Sequence, residues 1–370
     1  MENQDQNALR HLIIGVGAIV IGAHRPAWEL PTTRIAAVCD IDPERAKARV
    51  EELGVPFYQD YRQMLAEVPA DLAVITTPHY LHAQIAKDAL RAGLHVLVEK
   101  PMALSVEEAD GMIAASQASG KKLAVNFQHR HRPEVRAARR LIQEGKLGKL
   151  QRMTLVIPWP RSARYYRLGT WRGTWRGEGG GILMNQAPHD LDLVCHLLGS
   201  PHRVFAWTRT RYHAMETEDT ASALLEWPDG AIGHLHVSTT EGEQGATLEI
   251  AGTGGVIQVA QGGLTFNQFA MDVQAYLAET DELFRGPEAH EVPVELEEGA
   301  GNHVAVYRDF HSAILHGTPI AADGVEGRKG LELANAIIYS SHTHAEVELP
   351  LDRSAYTRLL QKLQASGKSI

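Results

Sequence analysis

Apolar residues at the start of the chain fall in short runs, each followed by an amphipathic stretch. Residues 12–16 (LIIGV) and 34–40 (RIAAVCD) read as buried strands. Residues 43–53 carry helical spacing, with Asp42 placed to cap the helix and Gly54 to stop it. The alternation continues with a strand over 72–76, a helix over 82–92 closed by Gly93, and a strand over 95–99. A helix over 105–119 opens with Ser105 and Glu108 in a capping-box pattern and ends at Gly120, before a strand over 123–127. Repeated β-α-β with apolar, β-branched strands implies a doubly wound parallel sheet covered on both faces.

The pattern then changes. A basic helix over 133–144 leads into longer polar stretches and strands of period two, at 152–157, 221–227, 231–238 and 247–252. Helices return over 187–198, 303–316 and 324–344. This is α+β texture, so the boundary falls near 126–130, giving domains over 1–126 and 127–370.

At 370 residues the chain has room for two cores without covalent staples. Its net charge of −9 argues against a general nucleic-acid binder. Cys39 and Cys195 cannot form a disulfide framework and have no zinc spacing, which points to a reducing compartment and a cytoplasmic protein. No apolar run is long enough to span a membrane. The stretch 12–23 follows Arg10 and His11 like a signal-peptide core, but its glycines and the lack of a clear cleavage site argue otherwise. Charge is unevenly spread: residues 127–177 hold thirteen Lys and Arg against Glu134 and Glu144. Such a run is usually a solvated face paired with acidic surface; the alternative is attraction of an anionic ligand group.

Gly15-Val16-Gly17 follows the first strand directly. Glycine at these positions permits a tight turn and lets backbone approach a pyrophosphate, which rests on the next helix N-terminus. Asp40 ends the second strand, where a carboxylate can bond ribose hydroxyls and repel a 2′-phosphate; otherwise it caps a turn. NAD is therefore expected in preference to NADP. Further on, Val98-Glu99-Lys100-Pro101 ends another strand, on the side where doubly wound sheets bind ligands. Residues 179–192 read GGGILMNQAPHDLD, which puts Asn185, His189 and Asp192 on one face if a helix opens there. A polar group, an imidazole and a carboxylate so placed suit proton transfer.

Together with the TPHYLH segment at 77–82, these strings resemble the Gfo/Idh/MocA family of oxidoreductases, in order and spacing across nearly the whole chain. The resemblance implies a Rossmann domain followed by a domain built on a large, open, mostly antiparallel sheet. That sheet commonly packs on another subunit, implying a homodimer or homotetramer. It also implies that Lys100 and His189 act on a sugar or polyol hydroxyl, with Asn185 orienting the substrate. The cofactor would meet Gly15, Gly17, Ala18, Ile19, Asp40, Thr77, Pro78, His79, His82, Glu99 and Lys100. Two departures stand out. The position of Asn185 is often aspartate in the family, and asparagine cannot act as a base. Val20 occupies the third glycine position of the fingerprint.

Aromatic and arginine residues crowd 165–176, just before the glycines. Rings stack on sugar faces and arginine bonds hydroxyls or anions, so Tyr166, Trp171 and Arg172 are substrate candidates, with His131 just past the crossover. The bland alternative is a loop that packs its aromatics into the core. His234 and His236 share a strand face without an evident third ligand, so no metal is expected. Two other functions remain: a redox-neutral glycosidase, which keeps the same residues and works through transient oxidation, and a non-catalytic dinucleotide-binding sensor. Relatives of the sensor type lose the lysine or the histidine, and both are present here.

Overall fold

The computed structural model describes residues 8–242 and 244–367; residues 1–7 and 368–370, the outer ends of the two expected domains, lie outside the described residues. Six strands form a parallel sheet: β1 (Leu9–Ile14), β2 (Thr33–Cys39), β3 (Phe57–Tyr58), β4 (Leu72–Ile75), β5 (His95–Val98) and β6 (Leu123–Val125). Their order, β3-β2-β1-β4-β5-β6, places the topological switch between β1 and β4. Helices α1 (Pro43–Leu53), α2 (Tyr61–Glu67), α3 (His79–Arg91) and α4 (Val106–Ser119) connect them. The capping signals work as expected. Asp42 accepts from the N–H groups of Glu44 and Arg45, Ser105 accepts from that of Glu108, and Gly54 and Gly120 end their helices left-handed.

Beyond β6 the chain builds α5 (Pro133–Gln143), β7 (Leu150–Pro158), α6 (Ala163–Tyr166), α7 (Ile182–Asn185), α8 (Pro188–Leu198), β8 (Arg203–Arg209), β9 (Thr220–Glu226), β10 (Ile232–Ser238), β11 (Thr247–Gly252), β12 (Gly255–Ala260), β13 (Gly263–Phe269), α9 (Val273–Glu279), β14 (Ala289–Glu291), α10 (His303–His316), α11 (Gly324–Thr343), β15 (Val347–Glu348) and α12 (Arg353–Ser366). Nine of these strands form one sheet, ordered β14-β13-β12-β11-β7-β10-β9-β8-β15, antiparallel except at β7–β10. Its alternation is clean. Val204, Ala206, Leu225, Leu235 and Val237 point into the core, while Trp207, Leu224 and Ile232 face outward and are about half exposed.

Two features of this second unit position the site. Helix α10 returns to the parallel sheet, where Val306, Tyr307 and Phe310 join the core of Leu9, Ile13 and Val74. Helix α11 lies against α8 at Gly330, where a Cβ would stand 3.1 Å from the backbone of Asp192. The helix expected over 187–198 is preceded by the separate turn α7, and Pro188 occupies the first turn of α8, where its missing N–H costs nothing.

Candidate active site

The cofactor end is built around the turn after β1. Gly15 has φ +92°, and a Cβ there would meet the backbone of Thr76 and Thr77 at 3.0 Å. Only glycine lets these neighbouring strand ends close up. Gly17 by contrast faces open space. The helix that follows starts at Ala18 and Ile19, with its first N–H groups free for an anion. It then widens to a π turn over Val20–His24 and tightens to 3₁₀ over Arg25–Glu29. Val20, in place of the third glycine, is fully buried. Such widened turns concentrate at functional sites. Here the turn aims His24 at Glu99.

Asp40 is buried, with Oδ2 accepting from the N–H of Val16 (2.9 Å) and Oδ1 from that of Asp42 (3.0 Å). It thus ties the glycine turn to the end of β2, so the turn-capping role is real. His82, in α3, does not offer a free edge: its ring nitrogens face the carbonyls of Pro101 (2.8 Å) and Thr77 (2.7 Å). It clamps the Thr77-Pro78 turn onto the loop after Lys100. His79 is also buried, edge-on to Trp171 with ring centroids 5.0 Å apart.

Glu99 is buried at the end of β5. Its Oε1 takes Asn126 Nδ2, His24 Nε2 (2.9 Å) and His303 Nε2 (3.1 Å), and its Oε2 takes the N–H of Lys100 (3.2 Å). Burial alone would raise its pKa. The hydrogen bonds from His24 and His303 outweigh burial and hold the carboxyl well below its ordinary range. These three residues are also the group able to reach a common metal ion among the described residues. Three donors already converge on Oε1, however, so the geometry is that of a stabilised carboxylate.

Lys100 reaches from the end of β5 to α7: Nζ donates to the backbone carbonyl of Asn185 at 2.8 Å. Burial lowers its pKa, against the opposing pull of Glu99 and Glu178. His189, in the first turn of α8, stacks on His129 with ring centroids 4.2 Å apart and has Gln128 Nε2 3.2 Å from its Nε2. Its pKa lies well below the usual range, through burial first, then His129 and Lys100. The imidazole is therefore neutral at pH 7, with Gln128 at its Nε2.

Asn185 is fixed by a network that no spacing in the sequence announces. Its Nδ2 donates to Glu178, and its Oδ1 accepts from the Tyr165 hydroxyl (3.3 Å), which in turn accepts from Arg172 Nη1 (2.6 Å). Glu178 is fully buried, and its carboxyl is pushed up to about 7.

Several candidates lie elsewhere than expected. His131 does not join the cleft. The 3₁₀ turn Gln128–His131 commits Arg130 to Asp192 (2.6 Å) and His129 to His189, which leaves His131 facing Asp309 on α10. For the same reason Asp192 is no proton acceptor, being locked to Arg130 in a buried ion pair. Tyr166 turns toward β10, its hydroxyl 3.1 Å from that of Thr239, and Tyr165 takes the place beside Asn185. Beside the stacked histidines, a cavity of about 160 Å³ is lined by His129, Trp159 and Asp190 among others. Much of the basic surplus is structural: Arg136 and Arg140 pair with Glu297 (2.9 and 3.2 Å), and Arg152 pairs with Glu249.

Residues 9–127 match a family described as an oxidoreductase family with an NAD-binding Rossmann fold, and residues 135–258 match the GFO/IDH/MocA C-terminal domain. The chain belongs to the Gfo/Idh/MocA oxidoreductases. It is 30% identical over 256 residues to a putative UDP-kanosamine synthase oxidoreductase subunit of Amycolatopsis mediterranei, covering 62% of this chain and 68% of that one. It is 26% identical to a levoglucosan dehydrogenase of Pseudarthrobacter phenanthrenivorans, over 88% of this chain and 91% of the other. For two further curated relatives the match spans 61% and 64% of their length. Among solved structures, the WlbA dehydrogenase of Bordetella pertussis, crystallised with NADH and UDP-GlcNAcA, superposes with a TM-score of 0.79 at 29% identity, over 93% of this chain and all of that one. This Gfo/Idh/MocA chain is thus an NAD-binding oxidoreductase, and no helix among its described residues is long and apolar enough to cross a membrane.

Proposed function

We propose that the protein moves a hydride between NAD and a secondary hydroxyl of a sugar, polyol or glycoside, with Lys100 and His189 as the catalytic pair. One observation carries this reading: the Lys100 ammonium bonds the backbone carbonyl of Asn185, four residues before His189, and lies near enough to lower the His189 pKa, which supports a cationic donor beside a neutral imidazole. The cofactor would be held by the glycine turn and the ends of β2, β4 and β5, with Gly17, Ala18 and Ile19 at its phosphates. When bound, NAD supplies the hydride acceptor. His189 takes the hydroxyl proton, exchanging Gln128 for the substrate oxygen. Lys100 donates to the developing alkoxide and lowers its pKa. Asn185, its amide oriented by Glu178 and Tyr165, positions the hydroxyl.

A second copy of the chain covers the outer face of the large sheet, where Trp207, Leu224 and Ile232 are exposed, giving a homodimer or homotetramer. The two cysteines are buried and unpaired, which suits a reducing cytoplasm.

The test is a melting and absorbance screen with NAD or NADP against sugars, polyols, uronates, sugar phosphates and glycosides. NAD should raise the melting midpoint, and one sugar class should yield NADH. Release of free aglycone without net NADH would replace this reading with the redox-neutral glycosidase. NAD binding with no chemistry on any compound would favour the sensor.

A further inference from the structure

The segment between β7 and α7 builds an alternating stack beside Lys100. The Arg161 guanidinium lies 4.9 Å from the ring centroid of Trp159 and 5.3 Å from that of Tyr165. Arg172 lies 4.5 Å from Tyr165 and 4.6 Å from Trp171. Three rings and two guanidiniums therefore form one ladder. Stacking covers the flat faces of a guanidinium and leaves its N–H edges to bond in plane, the geometry that grips a carboxylate or phosphate. Most of those edges are uncommitted. Arg161 spends one donor on the carbonyl of Pro160 (2.9 Å) and Arg172 one on Tyr165.

The ladder is also rigid. The N–H of Arg161 donates to the Thr239 carbonyl (3.0 Å), and its own carbonyl faces His213 Nε2 (2.8 Å). Its charge is not balanced locally. Among the described residues Arg161 has no carboxylate partner, and the acid nearest Arg172 is Glu178, at 3.7 Å. Arg172 bonds Tyr165, Tyr165 bonds Asn185, and the Asn185 carbonyl takes the Lys100 ammonium, so the ladder lies close to Lys100, whose pKa both guanidiniums lower. Glu99 offsets Lys100 in part, but its oxygens bond His24, His303, Asn126 and the Lys100 N–H and neither guanidinium.

We propose that Arg161 and Arg172 form an oxyanion clamp, and that the substrate is a sugar bearing a carboxylate or phosphate that docks there while its hydroxyl meets Lys100 and His189. This deepens the dehydrogenase reading and rests on it for the hydroxyl, but the clamp itself can be tested by binding alone.

The experiment titrates the NADH-loaded protein at low salt, read by NADH fluorescence. Matched pairs are used: glucose with glucuronate, galactose with galacturonate, and each hexose with its 1- and 6-phosphates. The clamp predicts that at least one anionic member binds about tenfold or more tightly than its neutral partner. The preference should fade with salt and collapse in R161Q and R172Q. The carboxylate and phosphate arms identify which oxyanion is taken. R161K, which keeps the charge but loses the planar fork, should retain only part of the preference. If no anionic sugar outbinds its neutral partner, or if R161Q keeps the full preference, the clamp is wrong. It is equally wrong if R161Q weakens NADH while leaving the sugar preference intact, since the guanidinium would then serve the cofactor's phosphates. Charge-selective binding without any NAD-linked turnover would instead sink the dehydrogenase reading and leave the clamp standing.

Discussion

Glu99 and Glu178 are both buried and both pull on Lys100, yet their own carboxyls shift in opposite directions. Glu99 comes from the parallel-sheet unit and receives donors at both oxygens, so it stays ionised well below the ordinary carboxylate range. Glu178 belongs to the second unit and takes only the Asn185 amide and the N–H of Gly173 (2.7 Å), with Arg172 at 3.7 Å. Its carboxyl rises to about 7. Burial is common to the two; the number of donors differs. One glutamate therefore acts as a fixed anion behind Lys100, while the other is a group that changes charge near neutrality.

The harshest way to probe this pair is to remove what they share. Lys100→Met should cut kcat/KM by about a thousandfold while leaving NADH affinity within a small factor, because the donor to the alkoxide is lost. A variant that turned over at the wild-type rate would end the assignment. Next comes Glu99→Gln, which neutralises the fixed anion beneath three converging donors. Breaking a buried charged network costs about 3 kcal/mol, so the urea midpoint should drop clearly at pH 7. Because the folded-state pKa of Glu99 is depressed, its stabilising contribution is present above the ordinary carboxylate range and disappears as acid protonates the folded carboxyl. Wild type and Glu99→Gln should thus converge in strong acid. A constant gap at all pH values would mean that Glu99 is not the anion described.

The contrast also shows what could be read from the chain alone. The strand–helix rhythm of the first unit, its caps at Asp42 and Ser105 and its left-handed stops at Gly54 and Gly120 are local signals, and local signals survive folding. Lys100, Asn185 and His189 were legible because each sits in a compact string. The residues that set their chemistry were not. Glu178 lies seven residues from Asn185, across a glycine turn. His24 and His303 reach Glu99 from sites 75 and 204 residues away. His129 replaced His131 because a buried ion pair 62 residues apart, Arg130–Asp192, decides which way a short 3₁₀ turn faces. The second unit's strands β8 and β12–β14 went unforeseen for a related reason. Their polar outer positions carry meaning only once the neighbouring strands are known. The signal that could have exposed Arg161 was its place in PWPRSARYY, where arginines stand among aromatic residues.

The smallest effect is expected at Glu178, and its sign separates the two glutamates. A carboxyl raised to about 7 in the fold keeps its proton while the unfolded chain has already lost it, so stability falls as pH rises from the ordinary carboxylate range to about 7. The full cost of such a shift is at most about 3 kcal/mol. Asp190 and Glu218, also buried and pushed up to about 7, slope the same way. Glu178→Gln cannot titrate, so the difference between its urea midpoint and that of the wild type should change between pH 5 and 8, the wild type losing ground as its carboxyl ionises. At pH 5 the two proteins should be of similar stability, since the protonated carboxyl and the amide each offer one carbonyl oxygen and one donor group. At pH 8 the variant should be the more stable, because the wild type then carries a buried charge that the variant lacks. Parallel curves would show that Glu178 holds the same charge throughout. The contrast with Glu99 would then lie in geometry alone, and Asn185 would be oriented by a permanent carboxylate.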